Sequence, residues 1–327
     1  MDLSKSKMSR RVVPVVLSVF AFIPNALATN FGAQCGYVPV VTGRSIDLQF
    51  SAGPAEWSAS TSSPSGEVAN MANMGSVMIS NLQRGLSDEL ASEFRSIPEY
   101  DGHSVAVTGP LKFRFLGKGN PEKTAAGLML EKIQLTANFS KSKHFLFFST
   151  TVRCRVDVVI NKPTFAGEYF MASGRMDLAL ARSTTSQSQS CSSSLGWVPW
   201  LGNKIESSAE KAIAEKAESL IGRLTDNMAY SLASRSFSSI AASIPLGRAV
   251  LYGVDYGLLF RQQLPLIVAN QKTELDLYAR SNLPVRPGTS SETLFSWRAP
   301  SSDIEVRIGE SKRTDLVWRG SNYCREP

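Results

Sequence analysis

The sequence predicts an α+β fold, an antiparallel sheet packed against two long amphipathic helices, with a C-terminal set of short strands. Three observations lead to it. Apolar residues recur at three-and-four spacing from Glu67 to Phe94 and again from Asn203 to about Arg235, the spacing of one helix face. Between these stretches the period switches to two, as in strands with one buried face. Beyond the second stretch short alternating runs are punctuated by Pro287, Gly288 and Pro300.

Residues 1–28 read as a cleavable signal peptide. Lys5, Lys7, Arg10 and Arg11 precede an apolar run from Val12 to Ile23, and Ala26 and Ala28 supply small residues before a cleavage point. The competing reading, a membrane anchor, meets a run too short to span a bilayer and broken near its ends by Pro14 and Pro24. The expectation is export to a periplasmic or extracellular space. Of 35 basic and 28 acidic residues, 31 and 27 would remain. A surplus of that size does not predict nucleic-acid binding, and leaves room for peripheral contact with an anionic surface.

Residues 29–66 are expected to hold one strand, Ser45–Phe50, and an exposed linker, Ser51–Gly66. Residues 67–245 form the expected helix, sheet, helix core. Its first helix carries Met71, Met74, Met78, Ile79, Leu82, Leu86, Leu90 and Phe94 on one side, with Gly75 and Gly85 marking kinks or close packing. The methionines read as core filling or as a deformable ligand surface. Four alternating runs follow, Leu111–Phe115, Met129–Phe139, Phe145–Ile160 and Phe170–Ala181, with a hairpin tip at Lys141–Lys143. The tract Ser183–Ser194 reads as a surface loop before the second helix. Residues 246–327 form a β-rich segment with Leu258–Ala269, Thr273–Arg280, Thr293–Arg298, Asp303–Ile308 and Leu316–Arg319 as strands.

Four cysteines, Cys35, Cys154, Cys191 and Cys324, allow three pairings. Cys154 with Cys191 and Cys35 with Cys324 is the preferred set, since the first would tie a strand to the Ser-rich segment and the second the two ends. Their spacing does not suit a metal, and no cofactor motif is present. Gly117–Thr124 has the outline of a phosphate-binding loop, but Glu122 stands where a glycine is required, so a hairpin turn is the simpler reading. His103, in Asp101-Gly102-His103, reads as a turn residue against a general base, and His144 as a strand-end residue. No catalytic residue is assigned.

Trp197, Val198, Pro199, Trp200 and Leu201 lead into the second helix. They read either as a ligand or membrane contact or as a staple fixing the helix's angle. The order helix, four-strand meander, helix over Glu67–Arg235 resembles that of the tubular lipid-binding (TULIP-like) family. The resemblance implies a non-enzymatic binder of a lipid or other apolar ligand and transfers no functional residue. The reading adopted is an exported binder of an apolar ligand or membrane surface. The alternatives are a scaffold in an envelope, secretion or surface assembly with a protein partner, and an envelope hydrolase.

Overall fold

The computed structural model describes residues 36–144, 149–171, 175–191, 242, 244, 246–281 and 286–319. In chain order the elements are β1 (Gly36–Ala52), β2 (Ala55–Thr61), α1 (Gly66–Phe94), β3 (Tyr100–Thr108), β4 (Leu111–Leu116), β5 (Lys123–Met129), β6 (Lys132–His144), β7 (Ser149–Phe170) and β8 (Met176–Cys191). Then come β9 (Val250–Leu251), β10 (Val254–Asp255), α2 (Tyr256–Asn270), β11 (Lys272–Leu277), β12 (Gly288–Ala299), a short 3-10 turn and β13 (Ile304–Arg319). Eleven strands form one sheet in the order β2-β1-β13-β12-β11-β4-β5-β7-β6-β3, with β8 also paired to β7. Chain contacts divide it into two units. Residues 36–38 and 317–319 fall in the smaller, where Tyr37 meets Trp318 edge-on at 5.4 Å between ring centres. Residues 39–316 hold everything else considered below.

The α+β expectation is corrected: the described residues are mainly β, with one helix of 29 residues, α1, rather than two long ones. The second stretch, Asn203–Arg235, lies outside the described residues. Segments read as linker or loop are strands instead. Ser51–Gly66 contains the end of β1 and all of β2, and Ser183–Ser194 contains the second half of β8. The physical reason is common to both: Ser, Thr and Gln on an exposed face satisfy a ladder as well as a loop does, because pairing uses backbone groups. The hairpin tip expected at Lys141–Lys143 is also displaced, since these residues pair with Val152–Thr150 inside the β6–β7 ladder.

The C-terminal strands are neither short nor a separate set. β11 pairs with β4 from Lys272↔Leu116 to Leu277↔Leu111, and with β12 on its other side. β12 and β13 run for 12 and 16 residues. The run Leu258–Ala269, read as a strand, is helical and forms most of α2.

Helix α1 starts where Ser65 Oγ accepts from the Val68 amide at 3.4 Å. Its buried positions, Val68, Met71, Met78, Ile79, Leu82, Leu86, Leu90 and Phe94, make a three-and-four stripe facing the core, and it packs chiefly on β3 and β12. Gly75 has a defined purpose. A Cβ there would stand 2.3 Å from the Tyr278 carbonyl oxygen, so only glycine lets the helix approach the end of β11 this closely. Within the sheet, Phe113, Phe115, Leu275, Leu277, Trp297, Val306 and Ile308 are fully buried.

Candidate functional site

Apolar side chains in a folded chain turn inward unless they have another partner, so a cluster left in water is informative. One such cluster surrounds β9, β10 and the start of α2. Leu246, Val250, Tyr252, Val254, Leu258 and Leu259 are all more than 40% exposed, and Tyr252 reaches 92%.

The local sequence dictates this display. β9 and β10 pair as Val254↔Leu251 and Asp255↔Val250, leaving Tyr252-Gly253 as a two-residue turn. Both turn residues have positive φ, 50° and 79°, the left-handed pair that matches the twist of a hairpin. Glycine adopts it freely, and the tyrosine is held there by its flanking strands. Its phenol ring therefore stands at the tip.

Asp255 couples the hairpin to the helix. Its Oδ1 accepts from the Gly257 and Leu258 amides at 3.0 and 3.2 Å, capping α2, while Oδ2 accepts from the Gly247 amide at 2.8 Å. These bonds, that from Gly247 foremost, hold the Asp255 carboxyl below its ordinary range. Arg261 Nη2 donates to the carbonyls of Ala242 and Ile244, fixing the chain before the hairpin.

Helix α2 is amphipathic in an unusual sense, with one apolar face buried and another exposed. Phe260, Leu264, Ile267 and Val268 are buried, with Phe260 against Phe50 and Trp297 at 5.6 and 5.3 Å between ring centres. Leu259 and Leu266, seven residues apart and so on one side, are 44% and 53% exposed. Arg248 is exposed beside the hairpin. No helix among the described residues is long and apolar enough to cross a membrane.

The expected contact residues Trp197, Val198, Pro199, Trp200 and Leu201 lie outside the described residues, as do Cys35 and Cys324. Cys154 is buried and stands opposite Cys191 in the β7–β8 register. His103 is a strand residue of β3, not a turn residue, and a bulge lies between Tyr100 and Gly102. Its Nε2 is 2.8 Å from Ser87 Oγ on α1, and its Nδ1 contacts the Tyr100 hydroxyl. Burial pushes the Tyr100 phenol up, so it stays protonated. The trio ties helix to edge strand.

Between Leu90 and Phe94 of α1 and Leu135, Ala137, Val156 and Val158 of the sheet there is a gap of about 10 Å³, barely the room of one water. Among the described residues no group of three or more His, Cys, Asp or Glu is placed to hold a metal.

Sequence reasoning missed the hairpin and α2 surface. The signal available was Asp255 followed by Gly257, a helix start, and Tyr252-Gly253 between Val250-Leu251 and Val254. No family model matches the chain, and no curated protein matches it. Among solved structures it is similar to a crystal structure of lipopolysaccharide binding protein, at 13% identity over 86% of each chain with a TM-score of 0.28. A likeness of that degree carries no argument about the site.

Proposed function

We infer that this protein binds lipid at a membrane surface, lowering the tip of the β9–β10 hairpin and the exposed side of α2 into the interfacial layer. The observation that carries the reading is Tyr252, 92% exposed at the tip of a turn whose flanking strands and following helix start expose Val250, Val254, Leu258 and Leu259. A tyrosine combines an apolar ring with a hydroxyl that stays hydrated, the combination suited to the headgroup boundary. Moving on the order of 200 Å² of apolar surface out of water at ~25 cal/mol per Å² contributes about 5 kcal/mol, enough for reversible contact. Exposed Arg248 adds attraction to anionic headgroups, and a chain matured after Ala28 keeps 31 basic against 27 acidic residues, a surplus of +4. A small, projecting cluster fits a deformable lipid layer better than a rigid protein groove, which would need a broader complementary face. The reading includes export, with maturation after Ala28.

Vesicle flotation tests it. Full-length mature protein is expected to float with phosphatidylcholine vesicles containing phosphatidylglycerol and less with phosphatidylcholine alone. Tyr252→Ser with Leu259→Asp should lower the bound fraction about tenfold, since ~1.4 kcal/mol is a factor of ten, without lowering the melting temperature. Wild-type protein that stays at the bottom of the gradient with both vesicles would sink the idea.

A further inference from the structure

A second concavity has the opposite chemistry. On the sheet edge formed by β2, β1 and β13, a cleft of about 530 Å³ is lined by Gln49, Ser51, Glu56, Ser58, Glu305 and Arg307. Its size falls within the usual range of small-molecule sites. The sheet pleat explains the lining. Gln49 flanks buried Phe50, and Glu305 and Arg307 alternate with buried Ile304, Val306 and Ile308, so the polar residues share the face turned away from the core. Register places Gln49 opposite Ser58 and Ser51 opposite Glu56, concentrating an amide, two hydroxyls and a carboxylate in four adjoining positions.

We propose that this cleft binds a neutral, hydroxyl-rich ligand, a saccharide. Its charges exclude other classes. Arg307 is paired with Glu305 at 2.9 Å, and Ser296 donates to the same carboxylate oxygen, so the cation is already engaged. Glu56 adds a further negative charge, which opposes phosphate or carboxylate ligands. Walls this polar give an alkyl chain nothing in exchange for water. The remaining groups suit vicinal hydroxyls: the Gln49 amide both donates and accepts, the serine hydroxyls do the same, and Glu56 accepts. The site does not use the β9–β10 hairpin, so its ligand is independent of the membrane reading.

Saturation-transfer NMR on the full-length protein decides the matter, with the methyl glycosides of glucose, galactose, mannose and N-acetylglucosamine as probes. Putrescine and inorganic phosphate serve as charged controls. At least one glycoside is expected to receive saturation, and Gln49→Ala and Ser58→Ala should each weaken its binding about fivefold through a lost hydrogen bond. Both positions are at the surface, so melting temperature and vesicle flotation should not change. The proposal is overturned if no glycoside binds, if binding is equal in both variants, or if putrescine alone binds.

Discussion

Cys154 and Cys191 show how a single register position can carry a prediction. They are 37 positions apart in sequence and directly opposite in the β7–β8 ladder, with Cys154 buried. If the chain matures in an oxidising compartment, a bond between them closes a loop whose chain entropy is worth ~3.8 kcal/mol as an upper figure. Peptide mapping of the exported protein without reductant is expected to recover residues 154 and 191 in one linked peptide. Two separately alkylated peptides would refute the pairing. In the sequence this pair is a preference among three possible pairings, and the register adds that its two positions lie opposite one another. Tyr252 was not reachable from the sequence, because exposure is a property of what fails to cover a residue. Its neighbours Val250 and Val254 look like any strand pair until the turn places all of them in water.

At the scale of elements, α1 was legible because twenty-nine residues of regular spacing outvote two glycines. α2 was not. Its run from Leu258 to Ala269 is apolar on two sides and contains Pro265, so no clean helical stripe appears, and short apolar runs do not distinguish strand from helix. What decides for helix is Asp255. Its carboxylate caps two amides of α2 and holds Gly247 as well, so the hairpin and the helix start move as one piece. Because the folded carboxyl is held below its ordinary value, this contribution is fully present above the unfolded Asp range near pH ~3.9, and is lost as pH falls through the lowered folded value. Hydrogen exchange should therefore show residues 246–259 protected alike at pH 7 and pH 5, and loosened first on further acidification. Asp255→Ala should give the loosened pattern already at pH 7. Unchanged exchange in that variant would remove the coupling role.

For the whole molecule, the difference between the expected and observed folds concerns where the last eighty residues belong. Composition and proline punctuation mark them off as a β-rich segment of their own, yet strand pairing over long sequence distances leaves no local trace: β11 finds β4 across more than 150 residues, as Leu275↔Phe113. The polar cleft has the same origin, since Gln49 and Glu305 meet only because β1 and β13 are neighbours. This placement makes a sharp statement about autonomy. A chain ending at residue 245 keeps α1 and β1–β8 but loses the strands between β1 and β4, together with Leu275, Leu277, Phe295, Trp297, Val306 and Ile308, all fully buried. At roughly 2 kcal/mol for each buried side chain, the loss is about 12 kcal/mol, comparable with the entire stability of an ordinary domain. β4 would also present an unpaired apolar edge, a template for aggregation. The truncated chain is expected to be insoluble or to melt without a cooperative transition. A soluble 1–245 product with a sharp calorimetric transition would show instead that the helix and meander stand alone, and that the C-terminal strands are an addition to a finished fold.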